Sequence, residues 1–287
     1  MISGNVHTPN PSLRHDAPMV SIIMTTYNAE RFIKASVLAA LAQDYPNFEV
    51  VVVDDGSTDR TAAICEEIHD PRLRVHRAER IGRSRALNKA VELARGEYIA
   101  NNDADDLSFT YRLSYVMKFA RLQADVAFIG TPAVPTQTFV DHIAAESVPP
   151  EESSEDTQGN VVWPSRITVF RRNLFNHSTL VYPKTVWRLM GGYDEGLDMC
   201  EDYDFYLRAM QFGRAAILPK PTVVWLTESG GYFRKKSMAD YLKTMNLIKR
   251  RAYRLLNLPL WMRPYHALWT QVYKAGILYR GWPEPGT

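Results

Sequence analysis

The chain from Met19 to Ala100 alternates between short apolar runs and amphipathic runs, and this alternation constrains the possible fold more than any other feature. The runs Met19–Thr26 and Phe48–Val53 are short, largely apolar and rich in β-branched residues, which is typical of buried strands. Between them, Ala29–Gln43 carries apolar residues at helical spacing. Alternating strands and helices predict an α/β fold with a mostly parallel sheet and helices on both faces.

The remaining elements follow from the same patterns. Gly96 is a typical helix-ending residue, and Ser57, Thr58 and Asp59 are residues that cap a helix start. We predict further strands at Leu73–His76 and Glu97–Ala100, and further helices at Thr61–Ile68, at Gly82–Ala94, from near Phe109, at Met199–Phe212 and at Ser237–Leu256.

Polar residues stand where three predicted strands end, at Thr25–Asn28, Asp54–Ser57 and Asp103–Asp106. Ligands of open parallel sheets bind beyond the carboxyl ends of the strands, so we expect these turns to border one cleft. Asp103 and Asp105 alternate along the chain and therefore share a face, which suits a hard cation such as Mg²⁺ or Mn²⁺. A turn that only caps the next helix is the alternative. Glycine-rich phosphate loops are absent after the first strand, so metal and side chains must hold any phosphate.

Composition excludes several classes of protein. The 287 residues carry a net charge of +2, which gives no global electrostatic reason to bind nucleic acid. Cys65 and Cys200 lack the spacing of a disulfide framework or a zinc site, which favours a reducing cytoplasm. Residues 1–18 are polar and interrupted by prolines, so we expect a flexible lead-in. No uncharged apolar stretch reaches membrane-spanning length.

Seven motifs follow one another along the chain: Val20–Asn28, Val53–Asp59, Ala86–Asn88, Gly96–Ile99, Asp103–Asp106, Gly191–Glu195 and Glu201–Asp204. Together they resemble the motifs of the family 2 glycosyltransferases. Because they are spaced in the right order over roughly Met19 to Leu218, the resemblance is specific. It implies a GT-A fold, a nucleotide-sugar donor, a divalent cation (Mn²⁺ or Mg²⁺) and an inverting transfer.

The resemblance also implies roles at the donor site. Thr25 and Tyr27 match positions that line the nucleoside pocket, and Asp54 matches the carboxylate that accepts a hydrogen bond from the base. Asp103 matches the residue that faces the ribose, and Arg83 lies on a segment that passes near the phosphates.

Two further residues are expected at the metal. By the resemblance, Asp105 is the ligand that bridges the cation to the diphosphate. His177 is either a buried core histidine or a group close to the metal, and both interpretations stay open. Asp106 is expected to cap the helix that follows it.

The catalytic base is expected in the acidic segment Glu201–Asp204. The resemblance identifies Asp202 as the base, with Glu201 orienting it or touching the acceptor. A carboxylate at a helix start is normally kept ionised by the helix dipole, which suits a base at neutral pH.

We expect a lead-in (1–18), a catalytic domain (19–231) and a helical extension (232–287). The acidic segment Ala144–Gly159 is expected to be a loop. The extension carries basic residues along Ser237–Leu256 and, after Pro259, Trp and Tyr residues that continue through Ala267–Tyr279. It either packs on the catalytic domain or touches the inner face of a membrane.

These expectations favour an enzyme that moves one sugar from a nucleotide donor, preferably a UDP-sugar, to a hydroxyl of a glycan or lipid-linked acceptor. The alternative is a non-catalytic GT-A scaffold, or a protein that binds a nucleotide or a partner. Retention of Asp103, Asp105 and Asp202 favours the enzyme. The sequence does not identify the sugar, the acceptor or the oligomeric state.

Overall fold

The computed structural model describes residues 17–136, 160–227 and 237–262, and its strands form two sheets. One sheet has seven strands and the other has three. The strands are β1 (Val20–Thr26), β2 (Phe48–Asp55), β3 (Leu73–Ala78), β4 (Tyr98–Asn101), β5 (Leu107–Ser108), β6 (Val126–Gly130), β7 (Ala133–Thr136), β8 (Val181–Pro183), β9 (Arg214–Ile217) and β10 (Val223–Leu226).

The large sheet has the order β3-β2-β1-β4-β8-β6-β9. Its neighbouring strands are parallel except where β8 pairs with β4 and with β6. The predicted mostly parallel α/β sheet is therefore confirmed. The order reverses at β1, which pairs with β2 on one side and with β4 on the other. Such a reversal leaves a crevice at the carboxyl ends of β1 and β4, where ligands of this kind of sheet bind.

Helices cover both faces of the large sheet. Val51 and Val53 of β2 pack in one apolar cluster, whereas Val50 and Val52 pack in another, because alternate residues of a strand point to opposite faces. The helices are α1 (Ile33–Leu41), α2 (Thr61–Glu66), α3 (Arg83–Leu93), α4 (Arg112–Ala120), α5 (Arg166–Arg171), α6 (Lys184–Met190), α7 (Glu201–Ala209) and α8 (Met238–Leu255). Helices α3, α7 and α8 contribute to the first cluster, and α1 and α4 contribute to the second.

The small sheet has the order β5-β10-β7 and was not foreseen from the sequence. Its strands are two to four residues long, which is too short for an alternating pattern to stand out. β10 pairs antiparallel with β5, directly after Asp106, and so connects this sheet to the acidic turn.

Helix α1 starts later than predicted, at Ile33 and not at Ala29, whereas α2 starts at Thr61 as predicted. The backbone N–H groups of Ala29 and Glu30 donate to Thr61 Oγ1 (2.7 Å) and Asp59 Oδ2 (3.2 Å), which connects the residues before α1 to the start of α2. Asp59 also accepts the N–H of Thr61 at the start of α2 (2.9 Å), as a cap would. Ser57 contacts Asp54 instead.

Helix α8 packs against the helices on one face of the large sheet. Met245, Ile248 and Ala252 join the cluster that contains α3 and α7, and Arg251 forms an ion pair with Asp194. The packing alternative therefore holds for this helix. None of the helices in the described ranges is long and apolar enough to cross a membrane. The predicted lead-in before residue 17, the loop Ala144–Gly159, the boundary at 231/232 and the aromatic segment Ala267–Tyr279 lie outside the described residues.

Candidate active site

An ionic cluster joins three elements at the carboxyl ends of β1 and β4. The guanidinium of Arg83, in the first turn of α3, donates from Nη2 to Asp103 Oδ1 (2.7 Å) and from Nε to Glu201 Oε1 (2.5 Å). Asp103 follows β4, and Glu201 begins α7. One cation thus connects two acidic motifs that are far apart in the chain.

His177 is buried beside Asp103 and Arg83, and its Nδ1 lies 3.3 Å from Arg83 Nη2. Its Nδ1 is 3.1 Å from Asp103 Oδ1, and its Nε2 is 2.9 Å from Asn101 Nδ2 and 3.3 Å from the hydroxyl of Tyr193. Both ring nitrogens therefore have protein partners. The histidine is a buried, hydrogen-bonded residue beside the acidic turn, and its assignment to the metal stays a prediction.

The contact between Arg83 and Asp103 favours the charged form of both groups. Burial opposes ionisation of Asp103, but the charges of Arg83 and His177 outweigh it and hold the pKa of this carboxyl well below its usual range. Burial likewise disfavours the charged form of Arg83, yet Asp103 and Glu201 raise its pKa further above the ordinary value. Arg83 is therefore a permanent positive charge between carboxylates at the mouth of the crevice.

Asp202, the predicted base, is adjacent to this cluster and partly exposed. Its Oδ2 accepts a hydrogen bond from Asn173 Nδ2 at 3.3 Å. Burial and the neighbouring charge of Glu201 raise its pKa above the ordinary value, although His177 and Arg83 offset part of the rise. The helix dipole alone would lower this pKa, but burial and the adjacent glutamate outweigh it. The ionised state of Asp202 at neutral pH stays a prediction.

A second group of residues, Tyr27, Arg80 and Asp55, lies where β1 and β2 end. The guanidinium carbon of Arg80 stands 3.5 Å from the centre of the Tyr27 ring, which is 43% exposed. Arg80 also pairs with Asp55, which accepts the backbone N–H of Ile81 at the start of α3 (2.7 Å). Asp55 is buried, and it holds Arg80 against the half-exposed ring of Tyr27. Thr25 is buried near the end of β1.

Asp54 lies on the opposite face of the sheet. It occupies the β2 face of Val50 and Val52, and its side chain accepts hydrogen bonds from the hydroxyl and the backbone N–H of Ser57. Asp55 follows Val51 and Val53 on the face of α3. The geometry therefore connects Asp55, and not Asp54, to Tyr27. The assignment of Asp54 to the base stays a prediction that this geometry does not favour.

The acidic turn contains one residue with a different role from the one predicted. Asp106 does not cap α4. Its carboxylate accepts hydrogen bonds from the hydroxyl of Ser178 and the backbone N–H of Leu226 (3.3 Å), and burial together with Asp103 and Asp105 raises its pKa. Asp106 therefore connects the acidic turn to the small sheet through its hydrogen bond with Leu226 of β10.

The carboxylates of the acidic turn fit a cation that takes most of its ligands from phosphate and water. Asp105 is partly exposed, as is Asp103. Within the described ranges, no group of three or more His, Cys, Asp or Glu residues is arranged to hold a metal ion. Mg²⁺ and Mn²⁺ in phosphate sites commonly use one or two carboxylates, and phosphate oxygens and waters complete their shell. The residues present fit that mode of binding.

Sequence reasoning missed four polar residues of this region: Asp55, Arg80, Asn101 and Asn173. The β2 run is apolar on both faces, so its sequence does not reveal which of Asp54 and Asp55 faces the crevice. Alternation would have shown only that the two point apart. Asn173 lies in a connection without a periodic pattern, and nothing local marks it.

A mostly parallel α/β sheet with acidic turns at its topological reversal defines the GT-A type of nucleotide-dependent transferase. The family model described as "Glycosyl transferase family 2" matches residues 21–185 of the chain. The chain belongs to this family and is a glycosyltransferase.

Comparisons with individual proteins agree. The putative glycosyltransferase EpsE of Bacillus subtilis is 27% identical over 252 residues, which cover 86% of this chain and 86% of EpsE. The structure of S. aureus TarS in complex with UDP aligns with a TM-score of 0.63 at 22% identity, over 83% of this chain and 69% of that one. The mannosyltransferase PcManGT of Pyrobaculum calidifontis, in complex with GDP-Man and Mn²⁺, aligns with a TM-score of 0.57 at 20% identity, over 96% and 85% of the two chains. At these identities the structural matches establish the fold.

Proposed function

We propose that this glycosyltransferase moves one sugar from a nucleoside diphosphate donor, preferably a UDP-sugar, to a hydroxyl of a glycan or lipid-linked acceptor. The observation that carries the proposal is the ionic cluster at the mouth of the crevice. There Arg83 joins Asp103 to Glu201, directly beside Asp202. Residues for donor binding and a residue able to act as base therefore lie side by side, as a transfer between two bound substrates requires.

The nucleoside end of the donor belongs at Tyr27, Arg80 and Asp55. The half-exposed ring of Tyr27 at the end of β1 provides a face on which a base stacks. Arg80 packs on this ring and is held in place by buried Asp55. Thr25 lies on the same strand end. Structures related in fold contain UDP in one case and GDP-Man in another, which supports a nucleotide donor but leaves the base open.

The diphosphate belongs beside Asp103, Asp105 and Arg83. A divalent cation held by Asp105, with phosphate oxygens completing its shell, would stabilise the charge that develops on the departing nucleoside diphosphate. The permanent charge of Arg83 contributes in the same sense, because it neutralises the carboxylates that would otherwise repel the phosphates. Mn²⁺ in a mannosyltransferase of the same fold supports this choice of cation.

Asp202 then removes the proton from the acceptor hydroxyl. Its partly exposed carboxylate reaches solvent beside the cluster, and its raised pKa makes it a stronger base than an ordinary aspartate. Attack by the hydroxyl on the face opposite the leaving diphosphate inverts the anomeric carbon. Glu201 has its carboxylate engaged by Arg83, so we give it an orienting role.

The partners follow from this chemistry. The protein needs a nucleotide sugar and a hydroxyl-bearing acceptor, and its net charge of +2 provides no general attraction to nucleic acid. We place it in the cytoplasm, where its two unpaired cysteines stay reduced. Contact with a membrane through the residues beyond α8 stays part of the proposal.

Release of nucleoside diphosphate tests the function. Purified protein is incubated with UDP-, GDP- and TDP-sugars, Mn²⁺ or Mg²⁺, and a set of glycan and lipid-linked acceptors. We expect one donor to give metal-dependent release that an acceptor accelerates, with an inverted anomeric centre in the product by NMR. A retained configuration would overturn the single displacement, and no release from any donor would overturn the donor assignment.

A further inference from the structure

Lys249 is a charged residue on the buried side of α8. Its neighbours on that side, Met245, Ile248 and Ala252, are apolar, and Lys249 itself is only 1% exposed. Its Nζ donates to the backbone carbonyls of Phe170 (3.0 Å) and Arg171 (3.4 Å). These are the last two residues of α5, whose terminal carbonyls lack partners within the helix.

A lysine in this place is unfavourable on its own. An ammonium buried among apolar groups loses its hydration, and burial lowers the pKa of Lys249 to about 7. A methionine of similar length would fill the same space without that penalty. The contact with the end of α5 is the feature that a methionine would not reproduce.

One of these two carbonyls, that of Phe170, also accepts a hydrogen bond from α7. The hydroxyl of Tyr203 lies 2.9 Å from the carbonyl oxygen of Val169 and 2.8 Å from that of Phe170. Tyr203 directly follows Asp202 in the first turn of α7. The Phe170 carbonyl thus accepts from Lys249 on one side and from Tyr203 on the other, which joins α8 to the helix that carries Asp202.

A second connection runs along the chain from α5. Two residues after its end, Asn173 donates from Nδ2 to Asp202 Oδ2 (3.3 Å), and its Oδ1 accepts the N–H of Phe175 (3.1 Å). The position of Asn173 depends on where α5 ends. The Asp202 carboxylate is therefore approached from two directions by groups that the end of α5 holds in place.

We propose that Lys249 is a positioning residue for Asp202, because its amino group holds the end of α5 where Tyr203 and Asn173 orient the Asp202 carboxylate. The inference rests on the proposed function, which makes Asp202 the base. Helix α8 then contributes to catalysis through the position of Asp202, although it lies beyond the segment that matches the family.

Steady-state kinetics of Lys249→Met test this role. Misplacement of the base predicts a kcat lower by about 10- to 100-fold, with the KM for the donor and the donor-induced rise in melting temperature within about twofold. Lys243→Met, on the exposed side of the same helix, is the matched control and should change neither. A Lys249→Met enzyme with unchanged kcat, or with kcat and donor binding reduced in parallel, would overturn the proposal.

A double variant separates positioning from general destabilisation. Asn173→Ala and Lys249→Met act through the same carboxylate, so their combined loss of kcat should be smaller than the product of the single losses. A combined loss equal to that product would show that the two residues act independently, and not through the same carboxylate.

Hydrogen exchange tests the link between Lys249 and Asp202 without any turnover. Failure of this link can therefore be told apart from failure of the proposed function. In Lys249→Met we expect faster exchange in peptides that cover 166–173 and 200–205, and unchanged exchange in β1 and β2. Unchanged exchange in the first two segments would overturn the link even in an active enzyme. Faster exchange in a protein that no donor makes active would support the link while the proposed function failed.

Discussion

Arg83 and Glu201 stand 118 positions apart in the chain, and Nε of the arginine donates to Oε1 of the glutamate at 2.5 Å. The contact joins the start of α3 to the start of α7. Because Arg83 also binds Asp103, the donor side of the crevice and the residue next to the proposed base are held by a single guanidinium. The relative placement of the two substrates therefore depends on this side chain.

Replacement of Arg83 should weaken donor binding. Arg83→Met leaves Asp103 and Glu201 without their common cation, so their charges repel the diphosphate. Since a hydrogen bond to a charged group contributes about 1.5–3 kcal/mol, we expect the Kd for the nucleoside diphosphate with Mn²⁺ to rise by about 10- to 100-fold in calorimetry. Arg85→Met, two positions along and paired with exposed Glu195, is the matched control and should leave the Kd unchanged. Equal affinities for the two variants would remove Arg83 from the phosphate site.

Loss of the Asp202 carboxylate should abolish the chemical step alone. General-base catalysis contributes about 10²- to 10⁴-fold, so Asp202→Asn should lower kcat at least that far while the donor Kd stays within a fewfold. Asp198→Asn, an exposed carboxylate three residues before the helix that carries Asp202, controls for a change of one charge nearby. Turnover by Asp202→Asn close to that of the wild type would assign the base elsewhere.

The pH profile should report the raised pKa of Asp202. The base must be ionised, so activity is lost as the pH falls through a pKa that burial and Glu201 have raised above 3.8. In Glu201→Gln one of these two causes is removed, and the acid limb of kcat/KM should move to lower pH. The same limb should stay in place in Asp198→Asn. A limb that moves to higher pH in Glu201→Gln would contradict the proposed electrostatics.

The two neighbouring aspartates of β2 should differ in their effect on the nucleoside. Asp55→Asn removes the carboxylate beside Tyr27 and Arg80, so binding of the free nucleoside diphosphate should weaken and the preference among bases should change. Asp54→Asn alters a contact with Ser57 on the opposite face, so only the melting temperature should fall. Calorimetry with UDP and GDP compares the two variants. Weakened binding in Asp54→Asn alone would restore the sequence-based assignment.

The fold was predictable because its signals are local and repeated. Strands β1 and β2 and helix α3 are uniform runs in which every residue supports the same period, and their bounds differ from the prediction by one or two residues. Helix α1 begins at Ile33, and the residues before it are hydrogen-bonded to Asp59 and Thr61, which lie far along the chain. No local pattern contains that information.

The site was predictable in part. Motifs identified the acidic residues Asp103, Asp105, Glu201 and Asp202, because the chemistry needs carboxylates at strand and helix ends. The direction in which the pKa of Asp202 is shifted was not predictable, since it depends on burial and on Glu201. The side of the sheet on which Asp54 lies depends on packing against α1 and α3, which the apolar β2 sequence leaves undetermined.

The most direct test of the account is the thermal stability of the wild type and of Asp105→Asn with a panel of nucleotide sugars, with and without Mn²⁺. A ligand that binds only the native state raises the melting temperature. We predict that a UDP-sugar stabilises the wild type when Mn²⁺ is present and not when it is chelated, and that Asp105→Asn loses this response. Stabilisation that is independent of the cation, or equal in both proteins, would contradict a cation-assisted sugar diphosphate site at the acidic turn.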